Sequence, residues 1–371
     1  MKILFLSDGI YPFQIGGMQK HSLKLCEALI QEKNIQIDLC HCGGKDYSTD
    51  QFKALFAGND QIKEIYIPFP TGKKFIGHYI RDNKAYSAAI YAHVKDRLDR
   101  YDFIYTQGFT GWEFLKPKIK RTISAKIAVN LHGYEMFQMQ ASLKSKLQSS
   151  MLKVPVKKIL KTADIVYSFG PKIDEILLQI GVPKNRISQQ LNGIDDTWLL
   201  TEPAELNQPI QFLFIGRAER RKGIEELNIA LKSLQNANKQ WSMQFIGPVP
   251  DELKLTEKNI VYHGEIRDAE KIKSIVDQSD CLVCPSYAEG MPTVILEAMS
   301  RGLMIIATNV GGVSKQIDQN GILLPTPEPQ LIENAFLEIL SMEHDKLMLW
   351  KNNSIKKIEA DFLWTKIALA L

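Results

Sequence analysis

The amino-acid sequence predicts an α/β protein with two doubly wound domains of parallel strands. Apolar runs of strand length alternate with amphipathic helical segments along nearly the whole chain, which favours parallel sheets with helices on both faces. A length of 371 residues suits roughly two domains of ordinary size. The polar, proline-bearing stretch at residues 201–209 is predicted to be the linker between two series of elements.

The first series forms the predicted N-terminal domain, residues 1–195. It opens with a short apolar run, a loop with glycine and proline, and a helical pattern, the order expected of a first strand and its crossover helix. Strands are predicted at residues 2–7, 35–40, 64–67, 103–106, 127–131 and 165–168, and helices at 17–33, 83–99 and 147–161.

The second series forms the predicted C-terminal domain, residues 196–351. Because ligand sites of open parallel sheets lie at the carboxyl ends of the strands, we expect the two domains to face each other across a cleft that holds the chemistry. Strands are predicted at residues 211–215, 242–246, 260–263, 280–284, 303–307 and 321–324, and helices at 224–234, at 269–278, around Glu297 and after Pro329.

The composition is that of a globular protein, with 45% hydrophobic and 24% charged residues. The longest run without a charged side chain, residues 302–314, has 13 residues including three glycines, too short and too interrupted to span a bilayer. Only a few apolar residues separate Lys2 from Asp8, which indicates a first strand and not a secretory signal. We therefore expect a cytoplasmic protein.

The five cysteines fall mainly on apolar stretches and are predicted to be buried thiols. Cys281 and Cys284 have Cys-x-x-Cys spacing, but a redox pair favours a helix N-terminus and a zinc site requires a second pair. The sequence has no His-x-x-x-His or Asp-x-Asp cluster, so no metal is expected.

Positive charge is concentrated in the first half of the chain. Residues 1–200 hold 28 Lys and Arg against 19 Asp and Glu, a net charge of +9, whereas residues 201–371 hold 18 against 23, a net charge of −5. Much of the excess lies at residues 116–121 and 144–161, and in the second of these lysines alternate with apolar residues. This pattern is compatible with peripheral docking on an anionic membrane and equally with an ordinary surface helix. Nucleic acid is not an expected partner, because no groove-reading motif accompanies the charge.

Two glutamates eight residues apart mark the most informative segment. Glu289 follows the predicted strand 280–284 at a turn with Gly290, and Pro292 suits the first position of the helix that carries Glu297. Free N–H groups at a helix start attract anions, and a carboxylate nearby can accept both hydroxyls of a ribose. A sugar nucleotide offers both groups. The simpler alternative is a turn cap and a solvated helix residue.

A basic loop at residues 216–223 follows a predicted strand of the second domain. Arg217 can bind two phosphate oxygens and Lys222 adds a point charge, so together they would neutralise a diphosphate leaving group. Arg220 and Arg221 are interpreted as solvated side chains. A plain surface loop is the alternative for the whole segment.

Two points in the first domain complete the candidates. Gly16 and Gly17 stand where a helix begins, so the backbone there can approach a phosphate or sugar closely. His132 ends a predicted strand and is expected to face the cleft, although His41 and His263 also end strand patterns and nothing local separates the three.

These segments resemble the retaining glycosyltransferases of family 4, or glycosyltransferase group 1, over nearly the complete chain. The Glu-x7-Glu segment with its upstream Arg and Lys is the most specific feature. Supporting segments are Gly16–Gly17 with His21, His132–Gly133, residues 192–195, Gly216–Arg217, Lys222–Gly223, Pro285–Ser286, Ala298–Met299 and Gly311–Gly312.

The resemblance implies a GT-B fold, in which two Rossmann-like domains face each other across a cleft. It also implies that a C-terminal segment, residues 352–371, packs back on the first domain. Residues 105–107 depart from the family pattern, since many members carry a His-rich strand end there.

The resemblance further implies the role of each candidate residue. Arg217 and Lys222 would hold the donor diphosphate and act as the main catalytic device, with His132 in a helping role and Glu297 on the ribose. The donor sugar would contact Glu289 and the backbone of Gly290, Met291 and Pro292, with Gly16 and Gly17 approaching from the opposite domain. No metal, cofactor or protein nucleophile is implied.

Three functions remain open from the sequence. The first is transfer of a hexose-type sugar from a nucleoside-diphosphate sugar to a lipid-linked or surface-glycan acceptor, with retention of configuration. The second is a nucleotide-sugar epimerase of the same architecture. The third is a binding or scaffold protein that has lost turnover.

Overall fold

The computed structural model describes residues 1–43, 47–70, 72 and 77–367, and it contains two parallel sheets. The strands of the first sheet are β1 (Lys2–Leu6), β2 (Gln36–His41), β3 (Ile62–Tyr66), β4 (Phe103–Gln107), β5 (Lys126–Asn130), β6 (Ile165–Ser168) and β7 (Ile187–Gln189). They pair in the order β3-β2-β1-β4-β5-β6-β7, so the direction of strand addition reverses between β1 and β4.

The second sheet repeats this order. Its strands are β8 (Ile210–Ile215), β9 (Trp241–Ile246), β10 (Ile260–Tyr262), β11 (Cys281–Cys284), β12 (Met304–Thr308) and β13 (Gly321–Leu324). They pair as β10-β9-β8-β11-β12-β13, with the reversal between β8 and β11. Two doubly wound parallel sheets confirm the predicted α/β class.

Helices cover the sheets. The first sheet is accompanied by α1 (Gly17–Leu29), α2 (Thr49–Leu55), α3 (His78–Val94), α4 (Leu115–Ile119), α5 (Leu143–Thr162) and α6 (Pro171–Ile180). The second part of the chain contains α7 (Ile224–Leu234), α8 (Ala269–Asp277), α9 (Thr293–Ser300), α10 (Val313–Gln316), α11 (Pro329–Ser341), α12 (His344–Asp361) and α13 (Trp364–Ile367).

Burial on both faces explains the apolar strand patterns. Leu4 and Phe5 of β1 point to opposite faces of the sheet and are fully buried in different hydrophobic clusters. Strands of parallel sheets are covered by helices on both sides, so they are continuous apolar runs without polar alternation. This made their positions predictable.

Several predicted boundaries are wrong. Pro292 precedes the helix and is not in it, since its φ of −68° and ψ of 119° are extended and α9 begins at Thr293. The predicted helix 17–33 ends at Leu29, because only polar residues follow Ile30 up to position 34. The predicted helix 83–99 corresponds to α3, which starts at His78 and passes into a 3₁₀ segment after Val94.

A buried ion pair fixes α12 to the second sheet. The Lys351 Nζ lies 3.0 Å from Oδ1 of Asp280, and the two side chains are 1% and 0% exposed. Asp280 also accepts hydrogen bonds from the backbone N–H groups of Asn207 and Gln211. These bonds compensate the cost of burying the charges, and they tie the linker, β8 and α12 to the start of β11.

The chain returns to the first domain only after α12. Ile194 forms a bridge with Leu363 and donates its N–H to Phe362 O at 2.8 Å. The Trp364 ring then packs over Gly193 and meets the His21 ring in a T-shaped arrangement, with ring centroids 5.2 Å apart. Residues 352–361 of the predicted return segment belong to α12, and residues 368–371 lie outside the described residues. The predicted domain limits remain predictions.

Candidate functional site

The candidate site lies where the two sheets present the carboxyl ends of their strands. In each sheet the loops at the reversal point, after β1 and β4 and after β8 and β11, form the crevice in which doubly wound folds bind ligands. The loop after β8 carries the basic residues, and the loop after β11 carries Glu289 and leads into α9.

Each carbonyl oxygen of residues 289–292 accepts a hydrogen bond. Those of Gly290 and Pro292 are bound within the second domain, by the Gly312 N–H and the Gln316 carboxamide. The carbonyl oxygens of Glu289 and Met291 accept hydrogen bonds from the first domain, from the carboxamides of Gln138 at 2.6 Å and Asn192 at 2.7 Å. No described residue accepts a hydrogen bond from the N–H of Gly290 or Met291. The turn therefore has donors left for a ligand.

The Glu289 carboxylate lies beside two cations. Its Oε1 is 2.6 Å from Lys222 Nζ and accepts a 2.8 Å hydrogen bond from Ser286, and its Oε2 is 3.3 Å from Arg221. Burial by itself would raise the pKa of Glu289, but the charges of Lys222 and Arg221 outweigh burial and hold the pKa below its usual value. Glu289 is therefore ionised at neutral pH.

A cavity of about 240 Å³ opens beside this cluster and is lined from both domains. Lys222, Arg221 and Glu289 form its charged wall, and Gly17 and His132 face them from the first domain. The remaining lining residues are Met18, Glu135, Asn192, Gly290, Met291, Pro292, Thr293 and Val294.

In the structure, the basic side chains of the loop have other partners than the sequence-based interpretation assigned. Arg217 is not among the residues that line the described cavity; its side chain is 74% exposed and pairs with Glu219 at 2.9 Å. Arg221, interpreted as solvated, is the one bound to Glu289. Arg220 is also paired, since it forms two hydrogen bonds of 2.8 and 2.6 Å with Glu226, although its side chain stays partly exposed. The sequence has no signal for which of these neighbouring cations faces the cleft.

Glu297 lies in a second cavity, of about 250 Å³, which also contains Gly17 and Asn192. Its Oε1 is 3.7 Å from the Lys20 ammonium of α1, so the carboxylate faces the other domain. Burial raises the pKa of Glu297 despite the opposing charge of Lys20. A partly compensated carboxylate of this kind can accept hydrogen bonds from ligand hydroxyls. Trp198 and Trp364 supply apolar surface in the same cavity.

His132 differs from His41 and His263, which also lie near strand ends. His41 contacts Glu64 at 3.1 Å, and His263 contacts Gln244 at 2.6 Å. The Nε2 of His132 is shielded from solvent and has no partner in the described part of the chain. Its backbone φ of 57° is unusual for a residue with a side chain.

The His132 ring contacts the His21 ring edge, with centroids 4.6 Å apart. Burial and the neighbouring His21 hold the pKa of His132 well below its usual value, and burial lowers that of His21 to about 3. Both rings are therefore neutral at neutral pH. The unpartnered nitrogen of His132 is available for a hydrogen bond to a ligand.

The two glycines of the first domain lie where they were predicted, at the start of α1. Gly16 is the residue before the helix, and Gly17 lines both cavities. The backbones of the two domains meet at Gly290, where an added Cβ would collide with the carbonyl oxygen of His132. Only glycine fits this contact.

No metal-binding group was found in the described residues, where no three His, Cys, Asp or Glu side chains cluster suitably. The five cysteines are free and buried, which confirms the prediction of buried thiols. Burial raises the pKa of the Cys284 thiol to about 11.

Comparison with known proteins finds relatives of the second domain. Residues 200–357 match the sequence model of the family described as Glycosyl transferases group 1. Residues 200–357 therefore resemble a group 1 glycosyltransferase domain. Over 164 residues it is 34% identical to TuaC of Bacillus subtilis, a protein named as a teichuronic acid biosynthesis glycosyltransferase. That match covers 43% of this chain and 40% of TuaC.

Solved structures extend the similarity of the fold to both domains. Sucrose-phosphate synthase from Thermosynechococcus elongatus superposes with a TM-score of 0.77 at 21% identity, covering 99% of this chain and 96% of that one. Anabaena HepE, solved with UDP and glucose, has a TM-score of 0.68 at 18% identity and covers 100% and 97%. These likenesses confirm the GT-B fold.

Proposed function

We propose that this protein is a retaining, metal-independent glycosyltransferase that moves a hexose-type sugar from a nucleoside-diphosphate sugar to a lipid-linked or surface-glycan acceptor. The observation that carries the proposal is the interdomain cavity in which Lys222 and Arg221 meet Glu289 beside the free N–H groups of Gly290 and Met291. Cations and N–H donors suit a diphosphate, and an ionised carboxylate suits sugar hydroxyls.

In the proposed reaction, the bond between the anomeric carbon and the diphosphate oxygen breaks while a bond from the acceptor oxygen forms on the same face. The acceptor proton passes to the released phosphate oxygen, so no nucleophile from the protein is needed. Lys222, Arg221 and Arg217 stabilise the charge that develops on the diphosphate, and Arg217 would have to leave Glu219 to do so. Neutral His132 bonds the sugar through Nε2, and Glu297 binds the ribose.

The proposed acceptor is membrane-linked because of the surface of α5. Val156, Ile159 and Leu160 are its buried side. A second apolar row is exposed, and we name it the α5 ridge: Leu143, Leu147, Met151 and Val154. A row of apolar side chains flanked by exposed lysines matches an anionic lipid surface. Among the described residues, no helix is long and apolar enough to cross a bilayer.

Charge in the sequence segment that carries the α5 ridge is almost entirely positive. Between residues 116 and 162 the sequence contains eleven Lys and Arg but only one acidic residue, Glu135. Lys144, Lys146 and Lys157 are exposed on the same helix as the ridge. The name of TuaC refers to teichuronic acid biosynthesis, which supports a glycan acceptor.

The test is incubation with UDP-glucose, UDP-N-acetylglucosamine and GDP-mannose, each with and without a bacterial lipid extract and each with and without EDTA. Release of the nucleoside diphosphate that requires the extract and survives EDTA is the expected result. Isomerised donor without extract would instead show the epimerase, and binding without any turnover would show a binding protein. Product stereochemistry by NMR decides between retention and inversion.

A further inference from the structure

One glutamine of the first domain forms three hydrogen bonds with the second. The Gln138 Nε2 donates to Glu289 O at 2.6 Å. Its Oε1 accepts from the N–H of Gly311 at 3.1 Å and, at a longer 3.4 Å, from the N–H of Glu289. A single carboxamide therefore joins two loops of the opposite domain, the turn after β11 and the loop after β12.

These two loops are packed together through their backbones. Gly312 donates its N–H to Gly290 O at 2.6 Å. Gly311 has a φ of 55°, and an added Cβ there would collide with the carbonyl oxygens of Glu289 and Gly290. Gln138 binds at this junction, so its bonds fix the direction of the Glu289 peptide and of the N–H groups that follow it.

The three hydrogen bonds of Gln138 require the two domains to be in contact. Gln138 follows the 3₁₀ turn Glu135–Phe137 in the first domain, whereas its partners belong to the second. Neighbouring Gln140 bonds only within the first domain, to Glu135 O and Gln138 O and from Ser149. Crossing the cleft is thus particular to Gln138 in this segment.

We propose that Gln138 is a positioning residue for the donor sugar: by holding Glu289 O in the closed cleft, it orients the N–H groups of Gly290 and Met291 toward the sugar. This inference rests on the proposed function. It predicts that Gln138 affects the sugar and not the diphosphate, because the cations beside the diphosphate, Lys222 and Arg221, belong wholly to the second domain. Loss of Gln138 should therefore weaken binding of a sugar nucleotide more than binding of the free nucleoside diphosphate.

The experiment compares the two ligand classes by isothermal titration calorimetry, using UDP-glucose with UDP and GDP-mannose with GDP. Gln138→Ala should lose about tenfold in affinity for the sugar nucleotide, the equivalent of one to two hydrogen bonds, and less than twofold for the diphosphate. The kcat for transfer should fall as well, because the sugar is misaligned. Gln138→Glu, which keeps the length but cannot donate to Glu289 O, should lose at least as much.

The matched control is Gln61→Ala. Gln61 likewise uses its carboxamide for backbone hydrogen bonds, but it donates to Glu32 O and Ile35 O, which both lie in the first domain. It should bind both ligand classes like the unaltered protein. Equal losses for sugar nucleotide and diphosphate in Gln138→Ala, or no loss, would overturn the inference. If the unaltered protein binds none of these ligands, the proposed function itself fails.

Discussion

Lys222 and Glu289 are joined by an ion pair of 2.6 Å, although 67 positions separate them in the sequence. The pair connects the loop after β8 to the turn after β11, the two loops at the reversal point of the second sheet. An entering diphosphate has to share the Lys222 ammonium with a carboxylate that already holds it. Binding therefore depends on whether a second cation adds enough charge, and Arg221, which itself pairs with Glu289 and Glu219, is the one that lines the cavity.

We predict that Arg221→Ala weakens nucleoside diphosphate binding by about 10- to 100-fold, because a charge-assisted hydrogen bond contributes roughly 1.5–3 kcal/mol. Arg217→Ala should cost less than threefold, since this side chain lies exposed against Glu219. Titration calorimetry with UDP and GDP measures both. A larger loss for Arg217→Ala would favour the assignment implied by the family resemblance over the order given by the geometry.

We predict that Asp8→Asn stabilises the protein at high pH. Burial raises the pKa of Asp8 from 3.8 to about 6, although Gln19 donates a hydrogen bond to it. Since the folded pKa is the higher one, the contribution of Asp8 to stability is present below pH 3.8 and is lost as the pH rises through about 6. The asparagine should avoid that loss.

The expected gain at pH 8 is about 1–2 kcal/mol, below the roughly 3 kcal/mol equivalent of the full shift, because Asp8 is partly exposed and screened. Urea unfolding of both proteins at pH 8, 6 and 4 measures the difference. An advantage that does not shrink toward pH 4 would show that the substitution acts through packing and not through ionisation.

The α5 ridge leads to a prediction about membranes. Replacing both Leu147 and Val154 by Ser should reduce sedimentation with vesicles of phosphatidylglycerol at least tenfold, because apolar surface is lost from the contact. Lys144→Glu with Lys146→Glu should have a similar effect, and neither UDP nor GDP should restore the sedimentation. Binding to phosphatidylcholine vesicles should be weak for all variants.

The control is Leu178→Ser, which removes an exposed leucine from α6 in the same domain. It should sediment with anionic vesicles like the unaltered protein. None of these substitutions should change the affinity for a nucleoside diphosphate. If Leu178→Ser is as defective as the ridge variants, the contact is not specific to α5.

Apolar patterns made the sheets predictable, whereas helices with polar surfaces were less so. The strand at residues 165–168 and the helix at 224–234 were predicted with the observed bounds. Helix α6 was missed although its signals are present, with Pro171 at the first position and Gly181 in a left-handed conformation after its end. These two capping residues are the sequence signal that predicts the helix.

The parts of the site that sequence reasoning missed depend on the meeting of distant segments. Arg221 is one of two adjacent arginines, and which one faces the cleft depends on Glu226 and Glu289, which lie elsewhere in the chain. Gln138 lies in no motif, and its partners are 151 and 173 positions away. No local pattern reports such contacts, because they exist only once both domains have folded and met.

One backbone contact between the two lobes involves a residue that has no side chain. At Gly290 the main chain rests against the His132 carbonyl, and a single methyl group would act as a spacer between the halves of the molecule. The absence of that carbon lets the two lobes touch here, beside the residues whose contacts cross between them.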